Sequence, residues 1–526
     1  MSFLYQTFEK SALQHLSKVA IIAEKKQYTY KALLDEVNQW AQQFHTISQK
    51  RQVRIALLTE DVINTASIAI AMAKINGTCV PTNPQLTTEQ LINGWLATAV
   101  NTVIYEPCFS HKVEQCKNTN KISHIQFICT TDKVTLTTEQ LKNPPFLDSQ
   151  AIGNQYDDFI ITLSSGSTGK PKPIVLSQTV KVKRAQQSWH LYNITDNDVV
   201  LCASPFFHSL GQRLFFVPLL LGATLVHLKQ FTPKAWIAVV EKHKVSKVIS
   251  VSSHLYALKD ELLNNTKELN TLKTIVTSSA PIDAHFKEQL FQAIGCDFHE
   301  MYGATEVATT SNLSPNFAKE KHASVGVACS GVEIKILDNN HQPVSCNIIG
   351  EIAVKSPLAF SGYYLQPELT ASSSHDGFFL TGDLGKLAED GFLTYMGRKK
   401  EIIISGGINI YPKDIESVLS SHQAIREIAV IGVNDDFLGE VILAICVLNN
   451  TIDSEQNSQV EPLTEKELRR LANKKLAPFQ RPLKYFFLNE LPVTPSGKTS
   501  KLALQSRYND LNEDWSAPLR AIFFND

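Results

Sequence analysis

The residues best suited to chemistry run from Leu163 through Ser164, Ser165, Gly166, Ser167, Thr168, Gly169, Lys170 and Pro171 to Lys172, directly after the apolar run Phe159 to Leu163. Glycines that let backbone N–H groups turn inward, the hydroxyls of Ser165, Ser167 and Thr168, and the ammonium groups of Lys170 and Lys172 together suit phosphate oxygens. The spacing is not that of a Walker A loop, because Ser164 and Pro171 stand where that pattern needs glycine and a hydroxyl residue. A flexible Gly/Ser surface linker is the other reading this composition allows.

Such a loop works only if rigid elements hold it. Through about residue 400, short β-branched runs alternate with helical patterns, as in layered α/β architecture with parallel sheets. Ile55 to Leu58 reads as a strand, and Ile63 to Lys74 as a helix that stops at Gly77 before Cys79, Val80 and Pro81. Thr87 and Gln90 make a capping box for a helix carrying Leu91, Trp95 and Leu96. The stretch Leu214 to Leu228, interrupted by Pro218, Gly222 and His227, reads as a buried turn and strand; it is shorter than the roughly 20 residues a membrane span needs. From Gly331 the pattern changes. Val332, Ile334 and Ile336 alternate, Asp338 to Asn340 turn, and Ile352 and Val354 alternate again, as in an antiparallel barrel or distorted sheet.

A second change falls at the charged cluster Arg398-Lys399-Lys400-Glu401. Beyond it Pro412 opens a helix with Ile415, Val418 and Leu419 on one face, and Ile428 to Val433 and Val441 to Val447 read as strands. Thr464 and Glu467 cap a helix that ends before Pro478, and Asn449 to Pro462 reads as a loop. The expected fold is α/β: a large domain of layered sheets and helices over 1–397, including a small barrel-like subdomain, and a small mobile α/β domain over 398–526.

Composition narrows the function classes. The 526 residues carry 50 Lys plus Arg against 51 Asp plus Glu, so no bulk field draws the chain to nucleic acid or anionic lipid. Hydrophobic residues make up 43% and charged residues 19%, which excludes disorder as the main state. Glu9 and Lys10 break any apolar core of a secretory signal. The cysteines form no CxxC pair and the histidines no HExxH spacing, so reduced thiols in a cytoplasmic protein, without a protein-held transition metal, are expected.

The loop at 163–172 is followed by Pro205-Phe206-Phe207-His208, Tyr302-Gly303-Ala304-Thr305-Glu306, Thr381-Gly382-Asp383, Gly397-Arg398 and Pro492-Val493-Thr494-Pro495-Ser496-Gly497-Lys498. With Tyr28-Thr29-Tyr30 and Pro81-Thr82-Asn83-Pro84, this ordered series resembles the motifs of the adenylate-forming superfamily, which includes acyl-CoA synthetases, nonribosomal peptide synthetase adenylation domains and beetle luciferases. The resemblance runs over nearly the whole chain. It implies that a carboxylate attacks the α-phosphate of Mg-ATP to give an acyl-adenylate and pyrophosphate, and that a thiol then takes the acyl group and releases AMP.

On that resemblance each motif acquires a role. Ser165, Ser167, Thr168, Lys170 and Lys172 would hold the leaving phosphates, Glu306 would bind Mg²⁺, and Thr305 would contact the α-phosphate. Tyr302 would stack on adenine opposite Ser279, Ala280 and Pro281, and Asp383 would accept the ribose hydroxyls with Arg398 nearby. Lys498 would be the catalytic cation between the substrate carboxylate and the α-phosphate, carried in by closure of the small domain about Lys400. In isolation Glu306 reads as a surface acid, Tyr302 as core, and Arg398 as part of a solvated basic run.

Ser405-Gly406-Gly407-Ile408-Asn409-Ile410-Tyr411-Pro412 resembles the acyl-CoA synthetase version of its segment, so coenzyme A is the expected acceptor, with Gly406 and Gly407 beside the pantetheine arm. A separate carrier protein is the alternative acceptor, and a catalytically silent nucleotide-binding scaffold the alternative of another class. His208 with Phe206 and Phe207 resembles the gate of the acyl site, whose neighbours Ser209, Leu210, Val251, Ser252, Ser278, Met301 and Gly303 include no acid to pair an ammonium group. A fatty or aromatic acid is expected, and Arg213 is a candidate partner for a polar group on it. Pro173 and Gln178 depart from the family pattern, which has glycine and often histidine there.

Overall fold

The computed structural model describes the chain apart from residues 1–2, 25, 49–52, 120, 133–157, 165–171, 265–266, 281, 450–462, 494–498, 512 and 518–526. Most of the loop at 163–172, Pro281, Lys498 and most of the expected loop Asn449 to Pro462 therefore lie outside the described residues.

Two large sheets with a layer of helices between them make up most of the molecule. The nine-stranded sheet has at its centre Asp297–Ala304, Thr274–Ser278, Lys247–Val251, Val199–Cys202, Thr224–His227 and Val19–Ala23, all parallel, with antiparallel strands at both edges. The seven-stranded sheet runs Gly362–Tyr363, Lys172–Leu176, Ile160–Ser164, Thr78–Pro81, Arg54–Leu58, Thr102–Tyr105 and Gln126–Cys129, parallel from Ile160–Ser164 onward. One core joins them: Ile21, Val200, Leu225 and Ile249 from the first and Ile55, Leu57, Ile104 and Ile160 from the second enclose Phe8, Trp40, Phe44, Phe215 and Leu219 of the helices. Strands covered on both faces need continuous apolar runs, and Arg54–Leu58 is buried at every position.

The capping boxes at Thr87/Gln90 and Thr464/Glu467 both form, and Pro412 is the first residue of the helix Pro412–Leu419. Leu214 to Leu228 differs from expectation. Its first half belongs to the helix Ser209–Leu221, with Pro218 inside, and only Thr224–His227 is strand. Buried on nearly every side, this helix shows no amphipathic period, and packing outweighs the hydrogen bond its proline forgoes. Gly222, at φ 92°, ends it in the left-handed conformation that favours glycine.

Past Gly331 the strands Glu333–Leu337, Gly350–Lys355, Ser374–His375, Phe378–Leu387 and Leu393–Arg398 form a bulged antiparallel sheet, as the alternation predicted. After the short turn Lys399–Glu401 the chain enters a further sheet, built on the long antiparallel pair Ile425–Asp435 and Gly439–Leu448 with its own apolar clusters. The fold is thus a mixed α/β architecture with a large N-terminal and a small C-terminal domain. No described helix is long and apolar enough to cross a membrane.

Candidate active site

Lys247–Val251, Thr274–Ser278 and Asp297–Ala304 end together at the carboxyl edge of the nine-stranded sheet, the edge where open α/β sheets bind ligands. Asp297–Ala304 turns through Thr305 and Glu306 into the antiparallel strand Ala308–Leu313. The turn is tight. A Cβ on Gly303 would lie 1.9 Å from the carbonyl oxygen of Ala308, so no larger residue fits without moving the backbone. Ala308 itself sits at φ 66° and Ser279, on the neighbouring strand end, at φ 79°. Strained non-glycine residues of this kind persist only where the surroundings hold them. The chain just past Ser279 and Ala280 is held by the buried Glu300, which accepts from the Ile282 N–H at 3.1 Å and is ion-paired with the buried Lys287.

Tyr302, Asp383 and Arg398 come together. The Tyr302 hydroxyl donates to Asp383 Oδ2 at 2.9 Å, and Arg398 Nε lies 3.4 Å from Oδ1. Burial, and then the Asp383 charge, push the Tyr302 hydroxyl well above its ordinary value, so it remains a donor. Asp383 projects from a bend at Gly382, φ 70°, where its N–H donates to Thr381 Oγ1 and the Gly382 N–H to Glu351 Oε1. The other Glu351 oxygen pairs with Lys399 at 2.7 Å, tying the bend to the turn after Arg398. Glu351 was not read from the sequence as a site residue; its one signal is an acid inside an apolar strand, Gly350–Lys355.

Glu306 is oriented from two sides. Its Oε1 accepts from the Tyr363 hydroxyl at 2.9 Å, and the Tyr363 ring lies 5.3 Å from Lys172 Nζ. Its carbonyl accepts from the Phe360 N–H and from Arg184. Arg184, 5% exposed, also donates to the carbonyls of Thr305 at 2.8 Å and Leu358 at 2.7 Å. Lys172, Tyr363, Glu306 and Thr305 thereby form one connected group at the end of the strand that follows the loop at 165–171. Arg184 and Tyr363 escaped sequence reading because a Lys-Arg-rich helix resembles a solvated one and Tyr363 sits on a two-residue strand.

His208 caps the helix Ser209–Leu221 by position, with its ring 4.5 Å from that of Phe207, while Phe206 packs on Phe215 and Phe216. Gly211 admits this turn: a Cβ there would meet the Pro205 carbonyl oxygen at 1.9 Å. Gln178 turns inward and donates to the Ala73 carbonyl. In the small domain Gly406 (φ 56°) and Gly407 (φ 78°) form the turn of a hairpin between Ile403–Ser405 and Ile408–Ile410. Among the described residues no hydrogen bond links these glycines to Tyr302, Glu306 or Asp383. Val493 and Thr499, flanking 494–498, form an antiparallel bridge, and Lys501 pairs with Glu416 and Glu401.

A layered α/β protein with strand-end loops presenting a carboxylate–tyrosine–arginine cluster beside a second, oriented carboxylate is of the nucleotide-binding class. The chain belongs to the AMP-binding enzyme family: residues 8–364 match the AMP-binding enzyme and residues 414–498 its C-terminal domain. It is 30% identical, over 66% of its length and 61% of the relative's, to the long-chain-fatty-acid–CoA ligase of Bacillus subtilis. It thus spans about three fifths of that protein. To the 2-succinylbenzoate–CoA ligase of Bacillus pumilus it is 28% identical over 93% of this chain and 95% of that one. The o-succinylbenzoate CoA synthetase of Bacillus subtilis, solved with its acyl-adenylate intermediate, superposes with a TM-score of 0.81 at 26% identity, covering 95% of this chain and 97% of that one.

Proposed function

We propose that the protein is an AMP-forming acid–thiol ligase. It activates an apolar carboxylic acid, fatty or aromatic, to an acyl-adenylate with release of pyrophosphate from ATP, and transfers the acyl group to coenzyme A with release of AMP. The observation that carries this reading is the pair of clusters at one sheet edge: Tyr302–Asp383–Arg398, suited to a nucleoside, beside Thr305–Glu306, suited to its phosphates.

Asp383 has two acceptor oxygens with further lone pairs beyond those engaged by Tyr302 and Arg398, so it can also accept ribose hydroxyls. Tyr302 would pack on adenine across from Ser279, Ala280 and Pro281. The second oxygen of Glu306 and the phosphates it would face are hard oxygen ligands, a donor set that fits Mg²⁺. When bound, the ion would neutralise charge on the phosphate oxygens. Ser165, Ser167, Thr168, Lys170 and Lys172 would hold the leaving phosphates, Thr305 the α-phosphate, and Lys498 the charge developing between carboxylate and phosphorus. His208 would close the acyl side.

Residues 398–526 would act as the moving lid about Lys400, first bringing in Lys498 and then the hairpin at Gly406 and Gly407 for the thiol. The reading assigns the protein to the cytoplasm, in keeping with nine free cysteines. The test is a panel of carboxylic acids with ATP, with CoA present or omitted, scoring AMP and thioester. AMP with thioester only in the presence of CoA is expected. Thioester appearing only with a purified carrier protein overturns the acceptor, and no acid-dependent AMP or pyrophosphate exchange overturns the enzyme in favour of a silent scaffold.

A further inference from the structure

Three cations lie close together on the packed helices Gln178–Leu191 and Ser209–Leu221: Lys181, Arg184 and Arg213. Two are held by carbonyl oxygens of the protein, Lys181 through one contact and Arg184 through several. Lys181 Nζ donates to Gln212 Oε1 at 2.8 Å, and Arg184 divides its N–H groups among the carbonyls of Thr305, Glu306 and Leu358. The neighbouring acid, Glu306, is already bonded to Tyr363.

Arg213 is different. Its Nη1 reaches the thioether sulfur of Met301 and the hydroxyl of Thr309, both at 2.9 Å, which are a weak acceptor and a neutral one. A guanidinium has five N–H groups, and among the described residues this one makes no other hydrogen bond. The Arg213 side chain is only partly buried, so it keeps some access to the space around it. The ionisable groups facing it, Tyr192 and Cys329, are both held protonated by burial and supply no negative charge at neutral pH.

Placement tells which part of the cleft this charge serves. Arg213 is one helical turn past Ser209, on the same helix face, and Ser209 directly follows His208. The Met301 side chain it touches points to the opposite face of its strand from the neighbouring Tyr302, whose hydroxyl engages Asp383. The charge therefore stands on the face away from the Tyr302–Asp383 cluster, where the reading above puts the acid. A half-buried guanidinium without a protein anion is costly unless a ligand completes it, and a carboxylate completes it best, through two parallel hydrogen bonds.

We propose that Arg213 anchors a second carboxylate, at the far end of an otherwise apolar acid, so that the preferred substrates are dicarboxylates rather than simple fatty or aromatic monocarboxylates. This rests on the acyl-activating reading above and specifies its substrate class.

The test compares matched acids in ATP–pyrophosphate exchange and in thioester formation: hexanoate with adipate, octanoate with suberate, and 3-phenylpropanoate with 3-(2-carboxyphenyl)propanoate. At least one dicarboxylate should exceed its partner in kcat/KM by about tenfold or more, the discrimination one charged hydrogen-bonded contact supplies. In Arg213→Met that ratio should collapse through KM for the dicarboxylate, and Arg213→Lys should keep part of it. Wild-type preference for every monocarboxylate overturns the proposal, and so does an Arg213→Met variant that weakens both members of a pair equally or raises KM for ATP instead. Should Arg213→Met not fold, the wild-type ratio and Arg213→Lys decide. Activity with monocarboxylates alone would leave the ligase reading standing and remove only this one; silence with every acid would remove both.

Discussion

The two sides of the cleft are finished to different degrees. On the proposed nucleotide side the described charges Asp383, Glu306 and Arg184 meet protein partners: Asp383 has Tyr302 and Arg398, Glu306 has Tyr363, and Arg184 has three carbonyls. On the proposed acyl side Arg213 has a sulfur and a hydroxyl. The difference follows from what must be bound. A nucleotide common to a whole family can be met by a pre-organised frame, where donors are held before the ligand arrives. A substrate that varies among relatives is met by a group left for the ligand to complete, because an unpaired polar group rejects the wrong acid more strongly than an apolar wall can.

The largest test of this contrast is Lys498→Ala. On the proposed function it should lower exchange by about a thousandfold with every acid alike, since the lost cation would serve the common chemistry; a loss confined to some acids would break the division. Next, Arg184→Met should cost about 3 kcal/mol of stability in denaturant unfolding, because three carbonyls lose their donor. An undiminished midpoint would mean that the frame around Thr305 and Glu306 does not depend on it.

A pH effect should be smaller. His299 lies beneath the acyl side, against Tyr192, whose hydroxyl touches Met301. Burial pushes His299 down to about 4 from an ordinary 6.5. The unfolded chain therefore binds a proton first, and stability is undiminished above about pH 6.5, falls as pH drops below it, and stops falling near pH 4. This site should contribute about 2 kcal/mol of loss between pH 7 and pH 5, and His299→Gln should remove that share of the slope. An identical slope in the variant would assign the effect elsewhere. The smallest change, Tyr363→Phe, frees one Glu306 oxygen and should lower exchange about fivefold, with a steeper dependence on Mg²⁺ concentration; no change in Mg²⁺ dependence would show that Tyr363 does not orient that carboxylate.

What could be read along the chain was whatever depends on near neighbours. Capping boxes at Thr87/Gln90 and Thr464/Glu467, the proline opening Pro412–Leu419, and the alternation in Glu333–Leu337 and Gly350–Lys355 are local and came through intact. The helix Ser209–Leu221 did not, because burial on nearly every side erases the period that announces a helix. Arg184 and Glu351 were missed for a related reason. Their partners lie 121 and 31 residues away; nothing beside Arg184 in sequence marks it as buried, and the apolar strand around Glu351 does not tell what that acid meets.

The amino-acid sequence by itself determined the ordered motifs, the α/β alternation and the residue types able to meet a nucleotide. Only the tertiary structure decided which cations are spent inside the protein and which remains for a ligand. Lys181, Arg184 and Arg213 look alike along the chain; a charge is made structural or functional by the partners that folding brings to it, and those partners come from distant strands.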